Sequence, residues 1–147
     1  MIVSKALWQC AECGRTFANP NQSHACRPLG SLDDHFAKRP PELRALFDAL
    51  AKAVKACGPS EVLPEKTRIA FHRRMSFISV YPRRDHLILG IVLAARDDDP
   101  RFESVQTFSP RNHLHNLRLR SVEEIDEKLR GWIRAAYEVG EQRHLTR

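Results

Sequence analysis

The chain has 147 residues, about one domain's length with room for a small satellite module at one end. Its 42% hydrophobic and 29% charged residues are ordinary for a globular protein and too apolar for a disordered one, and no apolar run approaches the roughly 18 residues that span a bilayer. The net charge of +6 and the pI near 9.5 favour polyanionic partners such as nucleic acid.

Residues 1–10 lack the apolar stretch of a secretory signal, so a cytoplasmic protein with no membrane attachment is expected. Clustered cysteines in that compartment bind metal more often than they pair as disulfides. Cys10 and Cys13 are separated by two residues, and ten residues further on come His24 and Cys26. The Cys-x2-Cys half sets two thiolates on a tight turn, with Gly14 free to take the backbone conformation that a metal knuckle needs. Three thiolates and one imidazole make a closed tetrahedral set, so one structural zinc ion on Cys10, Cys13, His24 and Cys26 is expected, with no open position for a reactive water. His35 is the substitute ligand if His24 turns away. A zinc-finger module over residues 1–30 and an α+β domain over residues 31–147 follow as the domain division.

The next zone, residues 29–58, reads as helix. Ser31 with Asp34 resembles a capping box, and Pro40 with Pro41 stops one short helix and starts a longer one. Leu43, Leu46, Phe47, Leu50, Val54 and Cys57 recur at three- and four-residue spacing, which gives one apolar face; Gly58 and Pro59 end it. Cys57 falls on that stripe and reads as a core thiol.

From residue 60 to 120 the period changes to two. Thr67, Ile69 and Phe71 alternate with Arg68 and His72, residues 77–81 and 87–93 read as strands, and so do residues 102–108 and 114–120. Short links between neighbours favour an antiparallel meander. Ser121 and Glu124 form a second capping box, ahead of a helix whose apolar stripe is Val122, Ile125, Leu129, Trp132, Ile133, Ala136 and Tyr137. The expected architecture is α+β: the zinc finger, then helix, a four- or five-stranded mainly antiparallel sheet, and a C-terminal helix packed on one face.

Two motifs carry a resemblance. Trp8-Gln9-Cys10-Ala11-Glu12-Cys13-Gly14-Arg15-Thr16-Phe17 with Asn21-Gln22-Ser23-His24-Ala25-Cys26 resembles a small zinc finger that precedes a bacterial domain of unknown function. Pro64-Glu65-Lys66-Thr67-Arg68-Ile69-Ala70-Phe71, Ser109-Pro110-Arg111-Asn112-His113 and the 126–137 helix resemble that uncharacterised domain itself, so the likeness spans most of the chain. Related domains are found fused to predicted restriction-type nucleases, which implies a nucleic-acid setting and supplies no catalytic residues.

Catalysis is not called for by the residues. A restriction-type core needs acid-x-Lys on a strand, and the single such tripeptide, Asp126-Glu127-Lys128, falls in the terminal helix. No Ser-centred elbow, Gly-rich phosphate loop or zinc-deaminase signature occurs. His113 and His115 would project from one strand face but lack an identifiable third metal ligand, and Asp97, Asp98 and Asp99 read as a solvated loop ahead of Pro100.

The positive charge is uneven, with Asp85 the sole acid between residues 68 and 90. Arg68, His72 and Arg74 alternate along one strand, Arg118 and Arg120 along another, and Arg83, Arg84 and Arg111 sit in adjoining turns. With Ile69, Phe71, Leu117 and Leu119 facing the helices, these side chains are expected to line the open face of the sheet and to contact phosphates of DNA or RNA. Phe102, Phe108 and Tyr81 are the aromatic residues placed to stack bases. The expected function is therefore a zinc-containing, non-enzymatic nucleic-acid-binding protein. The alternatives are an adaptor domain that docks an acidic protein partner, or a small-molecule or nucleotide-binding enzyme with its pocket between sheet and helices.

Overall fold

The computed structural model describes residues 6–19, 21 and 29–143. A two-stranded hairpin, β1 (Trp8–Gln9) with β2 (Thr16–Phe17), opens the chain. The Ser31 hydroxyl then accepts the Asp34 amide at 3.1 Å and caps the short helix α1 (Leu32–Phe36). Pro41 supplies the preset φ of a first helical position for α2 (Pro41–Lys55). The buried side of α2 is Leu43, Leu46, Phe47, Leu50, Ala53 and Val54, the stripe expected from its spacing.

Six strands follow: β3 (Glu61–Pro64), β4 (Ile69–His72), β5 (Ser76–Pro82), β6 (Leu87–Leu93), β7 (Ser104–Ser109) and β8 (Asn112–Leu119). They form one sheet of order β3-β4-β5-β6-β8-β7 with every pair antiparallel. The α+β class is as expected, with two differences in the sheet. β3 adds a sixth strand at an edge, where the proline at its end removes no needed ladder donor; four residues after Gly58 and Pro59 carried too little pattern to read. The meander is also interrupted, because β8 lies between β6 and β7. β7 is largely exposed along its length whereas β8 buries alternate residues, so the more amphipathic strand takes the inner place and the polar one the edge.

Ile69, Phe71, Ile78, Val80, Leu87, Leu89, Ile91, Leu117 and Leu119 turn one sheet face toward α2 and α3 (Glu127–Gly140) in a single core. Phe47 of α2 stacks on Phe71 of β4 with ring centroids 6.0 Å apart. The capping box at Ser121 and Glu124 forms, but it closes only a 3-10 turn, Val122–Glu124. Asp126 is a second cap whose carboxylate accepts the Leu129 amide at 2.9 Å, and the helix proper begins there. Val122, expected on the helical stripe, is consequently half exposed.

α3 ends against the β4–β5 turn, where the Gly140 carbonyl accepts the amides of Arg74 and Met75 at 2.9 and 3.3 Å. A Cβ at Gly140 would lie 2.3 Å from Phe77 Cδ1 and 2.8 Å from its Cγ. Both atoms belong to a fully buried ring, so they cannot yield cheaply. Gly140→Ala is expected to cost about 1–3 kcal/mol by overpacking, read as a lower urea midpoint with an unchanged slope.

Candidate metal and phosphate-binding sites

Cys10 and Cys13 flank the turn of the β1–β2 hairpin. Gly14 takes φ +78, its amide donates to the Cys10 carbonyl at 2.8 Å, and the Cys10 amide donates to the Arg15 carbonyl at 2.9 Å. This closure sets two thiols on one tight turn, and both cysteines are buried. Two soft donors at Cys-x2-Cys spacing on such a turn fit half of a tetrahedral zinc site. The other two expected ligands, His24 and Cys26, lie outside the described residues. Among the described residues no group of three or more His, Cys, Asp or Glu could hold a metal ion. His35 Nε2 donates to the Glu65 carbonyl at 2.6 Å, so Nδ1 is the nitrogen left to it as a substitute ligand.

The hairpin is seated on the β3–β4 edge of the sheet face opposite the helices. Thr16 Oγ1 donates to Glu61 Oε1 at 2.7 Å, and buried Arg15 pairs through Nε with Glu65 Oε2 at 3.1 Å. Burial works against the Arg15 charge, but contacts with Cys13 and Glu65 outweigh it and raise its pKa above the usual guanidinium value. Glu65 also accepts from Arg68 at 2.6 Å, so one carboxylate ties the hairpin to β4.

His72 is part of this seam and not of an open basic surface, which corrects the expectation for that residue. It is buried, packs edge-on to Phe17 with centroids 6.0 Å apart, donates from Nε2 to the Thr16 carbonyl at 2.5 Å, and accepts the Ser76 hydroxyl at Nδ1. Burial lowers its pKa from 6.5. A depressed histidine pKa means that the unfolded or undocked state binds more protons, so the stability it contributes is present above about pH 6.5 and is lost as pH falls toward the folded value. Amide protection factors in residues 8–17, which correct for the intrinsic slowing of exchange at lower pH, are therefore expected to fall between pH 7.5 and pH 5.5 more than those in α2.

The remaining basic candidates divide among three places. Arg68 and Arg118 lie on the face opposite the helices, and each is paired, to Glu65 and to Glu103 at 3.0 Å. Arg74 and Arg111 lie in the turns before β5 and β8, at one end of the sheet; β5 and β8 run the same way because each is antiparallel to β6. Arg83, Arg84 and Arg120 follow β5 and β8 at the opposite end. The arginines therefore do not line one face as expected. Strand parity brings only Arg68 and Arg118 onto it, and the centre of that face is Ser79, Gly90, Val92, Leu114 and Asn116.

The end carrying Arg83, Arg84 and Arg120 gains two cations that periodicity did not single out, Lys38 and Arg39. Arg39 Nε donates to the Arg83 carbonyl at 3.1 Å, Nη2 to the Pro82 carbonyl at 3.2 Å and Nη1 to the His35 carbonyl. Carbonyls satisfy its geometry without neutralising its charge. Lys38, Arg39, Pro40 and Arg84 wall a shallow cavity of about 360 Å³ with no acid among its described lining. Arg84 continues into a second cavity shared with Glu42, Asp85 and Arg120, and Arg39 into a third with Asp34, Lys66 and Arg83. Asp85 hydrogen-bonds His86 at 2.8 Å, which holds its pKa below the usual carboxylate range. The signal for Lys38 and Arg39 was present as a basic pair before Pro40, but only packing α1 against the β5–β6 turn reveals its neighbours.

Other candidates prove structural. Asp97 donates its amide to His115 Nε2 at 2.9 Å, and His115 Nδ1 donates to the His113 carbonyl at 2.9 Å, which sets the tautomer of a fully buried ring. His113 is held between the Thr107 hydroxyl and the Pro110 carbonyl. The aspartate run is a folded loop: Asp97 accepts the Trp132 indole at 3.0 Å, Asp99 accepts the Arg101 amide at 2.9 Å and pairs with Lys128. Asp126 and Lys128 sit at the start of α3, away from any strand. Cys57 is half-buried against Ala53, and burial pushes its thiol pKa up. Phe102 packs on Trp132 and His115, with centroids 4.4 and 4.7 Å away, leaving Tyr81 and Phe108 as accessible aromatics.

The fold defines a class of protein: an antiparallel α+β sheet with helices on one face, a cysteine hairpin seated on the other, and a basic end. Residues 32–140 match the model of a domain-of-unknown-function family, DUF5655, and the chain belongs to that family. The matched segment spans α1 to α3 and leaves the cysteine hairpin outside it. No curated protein and no solved structure matched the chain. Among the described residues no helix is long and apolar enough to cross a membrane.

Proposed function

We propose that this chain is a zinc-stabilised, non-enzymatic domain that binds nucleic acid by its phosphates, with the contact surface at the Lys38, Arg39, Arg83, Arg84 and Arg120 end of the sheet. The observation that carries it is the cavity walled by Lys38, Arg39 and Arg84 with no acid in its described lining. Arginine donates two parallel hydrogen bonds to a phosphate, and at the Lys38, Arg39 and Arg84 cavity no acid in the described lining competes for those donors, although Glu42 and Asp85 border Arg84 and Arg120 next to it. Arg39, already braced on three carbonyls, would position charge with little loss of side-chain freedom on binding. Phosphate contacts of this kind fix register and carry no sequence information. The zinc ion would hold the hairpin through Cys10, Cys13, His24 and Cys26 and take no part in contact or catalysis. The resemblance to domains related to ones fused to predicted restriction-type nucleases implies a nucleic-acid setting for such a surface.

The test is fluorescence anisotropy of labelled single- and double-stranded oligonucleotides titrated with the full chain at several salt concentrations. Micromolar binding whose logarithm falls linearly with log salt, with a slope of about −0.7 to −0.9 per phosphate engaged, is the expected result. No binding at 25 mM salt sinks the proposal, and tight, salt-insensitive capture by a protein would replace it with the adaptor alternative.

A further inference from the structure

The sheet face opposite the helices carries a second feature, a cavity of about 600 Å³, within the range that takes small organic ligands. Val92 and Leu114 form its apolar floor, and Ser79, Gln106 and Asn112 are polar groups in its wall. Arg68 lines it from the β4 side and Phe108 from β7.

Two observations mark it as built for a ligand. Ser79 is only 6% exposed, yet among the described residues its hydroxyl has no hydrogen-bond partner, and a buried polar group left so is costly unless something else satisfies it. Most telling is Phe108, which is 66% exposed and the only exposed aromatic among the described residues. The β7–β8 register shifts between Thr107 and Ser109, so Phe108 is the extra residue of a β-bulge. Bulges re-aim a side chain away from the ladder, and here the ring is delivered to the cavity rim, where it loses the burial its strand neighbours could have supplied.

We infer that this cavity binds a nucleotide, the base lying on Phe108 and the phosphate on Arg68. A planar heterocycle matches an open aromatic face, since every base has a π-face to stack. The Gln106 amide can both donate and accept, as a base edge requires, and Arg68, whose Nε is held by Glu65 at 2.6 Å, presents the other edge of its guanidinium to a phosphate. The nucleotide can be free or an unpaired residue of a strand. In the strand form the inference rests on the phosphate-binding function proposed above; in the free form it does not. Arg83 lies 6.0 Å over the ring of Tyr81, and Tyr81 lines this cavity, which makes the cavity and the basic end neighbours along one strand.

The experiment has two arms on the full chain. Amide chemical shifts are followed by NMR during titration with AMP, CMP and, separately, inorganic phosphate. Shifts at Ser79, Gln106, Phe108 and Leu114 with either nucleotide and not with phosphate are expected; shifts absent with both nucleotides, or reproduced by phosphate, overturn the free form. In the second arm, anisotropy compares a single strand with a duplex of equal length. Phe108→Ala should weaken single-strand binding by about tenfold, leave duplex binding unchanged, and be rescued by Phe108→Trp. Equal loss on both substrates, or no loss, overturns the strand form. Phe108 is exposed, so its truncation spares the fold, and Leu114→Trp, which fills the cavity, should mimic it. Failure of the basic-end variants Arg84→Glu and Arg120→Glu to affect binding would overturn the phosphate surface and, with it, the strand form, and leave the free-nucleotide form standing.

Discussion

Replacing Cys10 or Cys26 by serine is expected to lower bound zinc well below one ion per chain and to release the β1–β2 hairpin from the sheet. Serine keeps the size of cysteine but is no thiolate, and a structural site that loses one of four ligands loses most of its affinity. Such sites contribute about 10–16 kcal/mol in isolated zinc-finger peptides. The hairpin has little else to hold it: its two strands are two residues each, far below what stands alone in water. Its anchors on the sheet include Thr16 on Glu61, Arg15 on Glu65, His72 on the Thr16 carbonyl and Phe17 edge-on to His72. The first two join part-exposed partners, for which hydrogen bonds and ion pairs contribute modestly. Metal analysis of each variant, with amide exchange over residues 8–17, reads the outcome. Exchange in α2 and α3 should hardly change, because their core is the sheet and not the hairpin. Full zinc occupancy in both variants would show that the ligand assignment is wrong, and a chelator should reproduce the variants' exchange pattern in the unmutated chain.

Charge reversal at the basic end is the second large effect. Arg84→Glu with Arg120→Glu is expected to weaken nucleic-acid binding about a hundredfold at low salt, on the scale of about 1.5 kcal/mol for each charge-assisted hydrogen bond lost. The slope of log affinity against log salt should become shallower by about 1.5 to 2, two phosphates' worth. Both side chains are exposed, and the charge of Arg120 acts on exposed Asp85, so the melting temperature should fall by a few degrees at most. Arg118→Glu provides the contrast. Arg118 is already paired with Glu103 and lies away from the cluster, so its reversal should cost less than either end variant. Equal losses for all three would return the surface to the sheet face and reject the end.

Much of the fold was legible because period and caps are local. The α2 stripe, the Ser31 cap, the 87–93 strand and the inward set Ile69, Phe71, Leu117 and Leu119 follow from spacing of 3.6 or 2 and from which side chains satisfy a helix terminus. β3 was missed because four residues cannot show an alternation. The order β6-β8-β7 was missed because strand neighbours depend on long-range pairing, which no local signal encodes. The late start of α3 has a local cause after all: Ser121 and Asp126 are both good caps five residues apart, and Asp126, with its bond to the Leu129 amide, is where the helix takes hold.

The candidate sites divide along the same line. Cys10 and Cys13 with Gly14 are a local motif, and their turn conformation was determined by sequence alone, since a tight Cys-x2-Cys-Gly turn needs only its own residues. So was the net positive charge, which is composition. Where that charge collects was decided by tertiary structure. His72 is taken out of it by Thr16, a residue 56 positions away, and Arg39, next to Lys38, is brought in by its bonds to the Pro82 and Arg83 carbonyls. Phe108 shows the same limit: the sequence offered Phe102, Phe108 and Tyr81 alike as base-stacking aromatics, and only the fold separates exposed Phe108 from Phe102, which packs on Trp132 and His115. Burial and electrostatic neighbourhood are properties of distances between remote residues, and distance is what folding supplies.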